Sequence, residues 1–164
     1  MSDDRPKLAE ALAAFRAVYE DAGKTVSGVG TVIGGNVNHN INVVPVGRGR
    51  FENACAIRMS YVLNETGFKI PYTSRQTVSG AKGNWYFFRV TALISYLQQT
   101  FGGPDHTFSD PTPAMLSSHK GILVFEVDTW NDATGHATLW DGAVCSDQCY
   151  FPLSKKAYLW KLTD

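Results

Sequence analysis

Apolar residues recur at three- and four-residue spacing in three separate stretches, and each predicts an amphipathic helix. In the first, Leu8, Leu12, Phe15 and Tyr19 form a stripe that stops at Gly23, with Pro6 suited to a first turn and Ser2, Asp3 or Asp4 able to cap it. The second is FENACAIRMSYVLNETGF, where Cys55, Met59, Val62 and Leu63 share a face, Asn53 is the candidate N-cap and Gly67 the residue after the C-cap. The third, RVTALISYLQQTFG, carries Val90, Leu93, Ile94, Leu97 and Phe101 and ends at Gly102. Between the first two lies GVGTVIGGNVNHNINVVPVGRGR, rich in Gly and Asn with short apolar patches, which reads as loops or short extended pieces. A turn-rich connection, GGPDHTFSDPTPAMLSSHK, follows the third helix.

From Gly121 the pattern changes to that of strands. GILVFEVDTW is apolar with alternation towards its end, HATLW and AVCSD are short extended runs, and AYLWKL is a final strand. Helices first and strands last define an α+β class, with a mainly antiparallel sheet behind helices. The chain has 164 residues without repeats or a dividing linker, so one domain over residues 1–164 is expected.

Charge narrows the partners. Fifteen basic residues balance fifteen acidic ones, and the pairs Arg48 with Arg50 and Lys155 with Lys156 are too small for a phosphate-tracking surface, which argues against nucleic acid and anionic membranes. No apolar run approaches the ~18 residues of a membrane span, and MSDDRPKLAEALAAF lacks the basic and apolar regions of a secretory leader.

The densest chemistry lies in GHATLWDGAVCSDQC, which holds His136, Asp141, Cys145, Asp147 and Cys149. Asp141-Gly142 between two extended runs signals a type I′ hairpin, and a two-residue turn sets Trp140 opposite Ala143, Thr138 opposite Cys145 and His136 opposite Asp147. Opposed residues have Cβ atoms roughly 4.5–5.5 Å apart, close enough for a carboxylate to accept from an imidazole. Asp141 belongs to the turn and points to the other face.

A His-Asp pair needs a nucleophile to become chemistry. Cys55 falls at the start of the second helix, where unpaired N–H groups favour a thiolate and can bind an oxyanion. The division of labour is then Cys55 as nucleophile, His136 as general base and then acid, Asp147 as orienter, and the Cys55 backbone N–H as part of the oxyanion hole. Two other readings stay open. Cys145, Cys149, His136 and Asp147 offer four zinc ligands, although no second cysteine pair remains to complete a usual structural site. A disulfide between Cys145 and Cys149 requires the chain to curl, because a straight strand separates their Cα atoms by roughly 13 Å against a limit of about 7 Å. His39, His106 and His119 sit in loop-like segments and read as solvated.

The blocks VGTVIGGNV, FENACAIRMSYVLNETGF, VSGA followed by FFRV, and WNDATGHATLWDGAVCSDQC resemble, in order and spacing, the fourth family of type VI secretion amidase effectors. The resemblance implies a papain-like fold related to NlpC-type cell-wall peptidases and an amidase cutting the peptidoglycan stem peptide between D-glutamate and meso-diaminopimelate. It places the nucleophile on Cys55, the base on His136 and the acid on Asp147, and it implies a Cys145–Cys149 disulfide. Asn53, Gly135 and Trp140 are candidates for lining the substrate. No cofactor or metal is implied. The implied partners are the secretion apparatus, which bypasses Sec export to reach a recipient's periplasm, and an immunity protein that blocks the cleft. Competing readings are a papain-like acyltransferase or protease of other specificity, and a non-catalytic, disulfide-stapled binding domain with Cys55 merely buried.

Overall fold

The structure, a computed structural model, describes residues 5–45, 47–51, 53–127 and 135–164. Helix α1 (Leu8–Val18) turns Leu8, Ala11, Phe15 and Val18 inward. Lys7 occupies its cap position without a side-chain cap, and the Leu8 N–H donates instead to the Thr163 carbonyl at 2.8 Å. The cap candidates Ser2, Asp3 and Asp4 lie outside the described residues.

The Gly- and Asn-rich stretch is helical, against expectation: α2 (Val26–Ile33) and α3 (Gly35–Asn38) lead into a π-helical turn (His39–Val43). Thr25 caps α2 by accepting from the Gly28 N–H at 3.0 Å. Val29, Ile33, Val37 and Ile41 fall at every fourth position and all are buried. One continuous apolar stripe therefore outweighs glycine's poor helix propensity. Close approach explains why glycine is there: a Cβ on Gly28 would lie 1.8 Å from the Ala22 carbonyl oxygen.

The central helix is α4 (Cys55–Glu65). One side packs Met59 and Leu63 with Phe15 of α1 and with Leu93 and Leu97 of α5 (Val90–Phe101). On the other side Ile57 meets Val29, Ile33 and Val37. Polar groups buried on α4 hold a ribbon of β1 (Thr77–Ser79) and β2 (Trp85–Phe87), strands of three residues each that the pattern did not announce. Ser60 Oγ accepts from the Phe87 N–H at 3.0 Å, and the Asn64 side-chain amide donates to the Trp85 carbonyl at 2.8 Å.

A second, antiparallel sheet contains β3 (His106–Ser109), β4 (Gly121–Glu126), β5 (Gly135–Trp140) and β6 (Lys156–Lys161) in the order β3-β6-β4-β5. The class is α+β, as read from the sequence. Strand β4 buries both faces, Ile122 and Val124 towards the helices and Leu123 and Phe125 towards Phe151 and Leu159, which accounts for its unbroken apolar run. Strand β5 forms one edge of the sheet, and α1 and α4 pack against it. The end of GILVFEVDTW lies outside the described residues.

Two expectations need correction in the second half. The connection after α5 contains β3 and a 3-10 turn (Pro113–Leu116), and the rings of His106 and His119, both partly exposed, pack together with centroids 4.2 Å apart. AVCSD is not a strand; it makes an isolated bridge between Trp140 and Cys145. Among the described residues, no helix is long and apolar enough to cross a membrane.

Candidate active site

Cys55 is the first residue of α4 and is 1% exposed, held there by Ala54, Ile57 and Met59 packing on two sides of the helix. Ala54, not Asn53, occupies the cap position. Asn53 stands one residue earlier, and its Oδ1 accepts from the Cys55 N–H at 3.0 Å. The amide assigned to an oxyanion hole is thus satisfied by an exposed side chain. Any substrate oxygen using that N–H must displace Asn53.

The register of the His136 segment differs from the hairpin expected. Trp140 bridges Cys145 rather than Ala143, and the Ser146 N–H donates to the Leu139 carbonyl at 2.9 Å. The cause lies in Asp141, whose Oδ1 accepts from the N–H groups of Ala143 at 2.9 Å and Val144 at 2.8 Å and thereby builds a longer turn. A type I′ turn needs positive φ at both central residues, and of the two only Gly142 has it. Continued straight, this register would set Thr138 opposite Asp147. A disulfide between Cys145 and Cys149 draws their Cα atoms to 5.5 Å and curls the intervening residues. The curl brings Asp147 to His136, so the pair forms by a different route from the one expected.

His136 Nε2 lies 2.9 Å from Asp147 Oδ2 and 3.1 Å from Oδ1. The side chains are 7% and 2% exposed. With Nε2 turned to the carboxylate, Nδ1 is the nitrogen left for Cys55, whose thiol lies close enough to help raise the ring's pKa. Tyr150 packs edge-on to the imidazole, centroids 4.6 Å apart. Burial alone would disfavour the imidazolium, but the Asp147 and Cys55 contacts outweigh it and raise His136 to about 9. Burial likewise pushes the Asp147 carboxyl up, and the hydrogen bond and charge of His136 overcome this to hold it below the usual carboxylate range. The arrangement favours a positive imidazole between a carboxylate and a thiol, which is the state a thiolate nucleophile requires.

Of the other candidates, Trp140 is a core residue. It is 1% exposed, its Nε1–H donates to the Leu116 carbonyl at 2.9 Å and its ring packs on Phe151, so it lines no cleft here. Gly135 is buried at the start of β5, where a Cβ would lie 2.3 Å from the Phe125 carbonyl oxygen; strand pairing demands this glycine. The two disulfide sulfurs are joined to each other and offer no thiolate to zinc, and among the described residues no group of three or more His, Cys, Asp or Glu could hold a metal. Sequence reasoning missed Arg58 and Tyr150. The one hint for Arg58 was its place one turn after Cys55 in the same helical segment; Tyr150 gave no comparable signal.

A helix opening on a buried thiol, packed against an antiparallel sheet that presents an imidazole bound to a carboxylate, is the architecture of a papain-like fold of the NlpC type. The comparisons then give the family. A family model described as type VI secretion system amidase effector protein 4 matches residues 51–160, and the chain belongs to that family. Similar solved structures include the effector Tae4 from Salmonella typhimurium in complex with the immunity protein Tai4 from Enterobacter cloacae, at 42% identity over 96% of this chain and 99% of that one, with a TM-score of 0.85. The Tae4-Tai4 effector-immunity complex from Enterobacter cloacae matches at 39% identity over 96% and 99%, TM-score 0.84. The Tae4 effector from Enterobacter cloacae solved alone matches at 40% identity over 96% and 97%, TM-score 0.84. Comparison with curated protein sequences gives no match.

Proposed function

We propose that this antibacterial type VI secretion effector hydrolyses the γ-D-glutamyl–meso-diaminopimelate bond of the peptidoglycan stem peptide through Cys55, His136 and Asp147. The observation that carries the mechanism is the His136 imidazole fixed between Asp147, at 2.9 Å, and the Cys55 thiol at the head of α4. From its neutral form, with Nε2–H on Asp147, His136 takes the thiol proton on Nδ1 and becomes the imidazolium that Asp147 stabilises, and the sulfur adds to the γ-carbonyl carbon of D-glutamate. The resulting oxyanion takes the Cys55 N–H as Asn53 Oδ1 yields it. When the intermediate collapses, the C–N bond breaks, His136 gives its proton to the departing diaminopimelate amine, and a glutamyl thioester remains. Water then adds to the thioester as His136 removes its proton, and cleavage of the C–S bond frees the γ-carboxylate and returns the thiol.

The family supports delivery into a recipient and an immunity-protein partner; action in the recipient's periplasm, and an immunity protein in the producer that occludes the cleft, belong to the same proposal. The Cys145–Cys149 bridge suits an oxidising compartment. The test is to incubate the protein and its Cys55→Ala variant with Gram-negative muropeptides and identify products by mass spectrometry. A disaccharide-dipeptide from the wild type alone is expected; cleavage by Cys55→Ala would remove the mechanism. No cleavage by folded wild type, oxidised or reduced, would favour a binding role.

A further inference from the structure

Arg58 is a buried charge that the triad leaves unexplained. It sits on α4 one turn beyond Cys55, is 8% exposed, and has an Nε without a hydrogen-bond partner among the described residues. An arginine that only lends its stem to packing keeps its whole head in water, whereas here the Nε is out of it and the side chain is 9% exposed. Its guanidinium lies over the Tyr19 ring at 5.0 Å, and one terminal nitrogen approaches Asp147 Oδ2 at 4.0 Å.

That separation decides what Arg58 does. Arginine normally meets a carboxylate in a bidentate pair with N···O near 2.8 Å, which would occupy both oxygens. Here both Asp147 oxygens lie against His136 Nε2, at 2.9 and 3.1 Å, with the Gln148 backbone as a further contact, and neither is in bonding range of Arg58. Arg58 therefore acts on Asp147 by charge across a gap, and Tyr19 holds it there.

The charges facing one another come from every element packed round the site. Helix α4 supplies Cys55 and Arg58, β5 supplies His136, the disulfide loop supplies Asp147, Tyr150 follows that loop, and the C-cap of α1 supplies Tyr19. Farther out, the exposed Arg16 of α1 and Glu20 just beyond it pair with each other at 3.7 Å. Once the thiolate and imidazolium have formed, Cys55, His136 and Asp147 carry a net charge of one electron, and so do the oxyanion intermediate, His136 and Asp147. Leaving such a charge unbalanced in a buried site is strongly unfavourable. We infer that Arg58 is a positioning residue for the triad: a buried cation, braced on Tyr19, that balances the Asp147 charge through the reaction while leaving both carboxylate oxygens to His136. The inference rests on the triad proposed above.

The test compares Arg58→Met, Arg58→Gln and Arg58→Lys by kcat and KM on muropeptides and by NMR titration of the His136 ring. Removing a nearby cation makes the imidazole easier to protonate, so in the neutral variants its midpoint should rise by about one pH unit, with kcat falling roughly tenfold and KM little changed. Arg58→Lys should restore the wild-type midpoint. A packing defect that loosens Asp147 would move the midpoint the opposite way, towards 6.5. A lowered or unchanged midpoint in a folded neutral variant overturns the inference. Failure of both neutral variants to fold, beside a folded Arg58→Lys with the wild-type midpoint, would assign the charge to folding and also overturn it. If Cys55→Ala cleaves like wild type, the triad itself fails; if Cys55→Ala is inactive while Arg58→Met retains the wild-type titration and kcat, only the role of Arg58 fails.

Discussion

Replacing Asp147 by Asn tests how much of the site depends on charge rather than on shape. The amide oxygen can still accept from His136 Nε2–H, so the ring keeps its orientation, but the negative partner is gone. In the wild type His136 is raised from 6.5 to about 9, which at 1.36 kcal/mol per unit corresponds to about 3 kcal/mol favouring the imidazolium in the folded protein. Asp147 provides the first of the favourable contacts, so kcat/KM at neutral pH should fall by roughly 50- to 100-fold. The same contact is a stability term. Because the folded midpoint lies above the unfolded one, its contribution is complete below pH 6.5 and is lost as pH rises through about 9. Thermal unfolding followed by circular dichroism from pH 6 to pH 9.5 should show the wild-type Tm falling by about 10 °C more than that of Asp147→Asn. From the acid side Asp147 reports the same interaction: its lowered pKa adds stability above the usual carboxylate range that disappears as pH falls through the folded value. Parallel Tm profiles for the two proteins between pH 6.5 and 9 would refute the assignment of Asp147 as the group holding the imidazolium.

Three further outcomes are expected. Dithiothreitol should open the Cys145–Cys149 ring, let Asp147 drift from His136 and lower activity towards that of Asp147→Asn; three titratable thiols with undiminished turnover would contradict this. Asn53→Asp keeps an acceptor for the Cys55 N–H, so Tm should hold, yet it sets an anion where the oxyanion forms and should cost about 10- to 100-fold in kcat; wild-type kcat would mean that this N–H is not the oxyanion donor. Trp140→Phe strands the buried Leu116 carbonyl and should cost about 1–3 kcal/mol in urea unfolding without changing kcat/KM of the folded enzyme; a KM defect would return Trp140 to the substrate surface.

The elements legible in the sequence were those whose burial and local propensity agree. Helices α1, α4 and α5 showed plain stripes, and β4 announced itself because both of its faces are covered. The α2–α3 segment was misread because glycine and asparagine favour turns, while the stripe of Val29, Ile33, Val37 and Ile41 was present but less conspicuous than the residues between. The contact of His136 with Asp147 was anticipated from a turn that did not form; Asp141 changed the register, and the disulfide restored the proximity. Arg58 escaped notice because a helical arginine reads as a solvated position until the neighbouring α1 and the 145–149 ring are seen to cover it.

The placement of β6 has a consequence for how the molecule comes into being. This strand is the last of the sheet's four in chain order but lies inside the sheet, pairing Ala157 with Phe108 on one side and with Phe125 on the other. During synthesis β3 has no neighbour, and β4 is paired along one side only, until residues 156–161 have emerged. Strands left open in this way are templates for wrong pairing, and joining them requires contacts across about fifty residues of chain. Residues 156–161 must therefore leave the ribosome before the sheet can close, and a chain truncated ahead of Lys156 keeps its thiol and imidazole yet lacks the strand that joins β3 to β4.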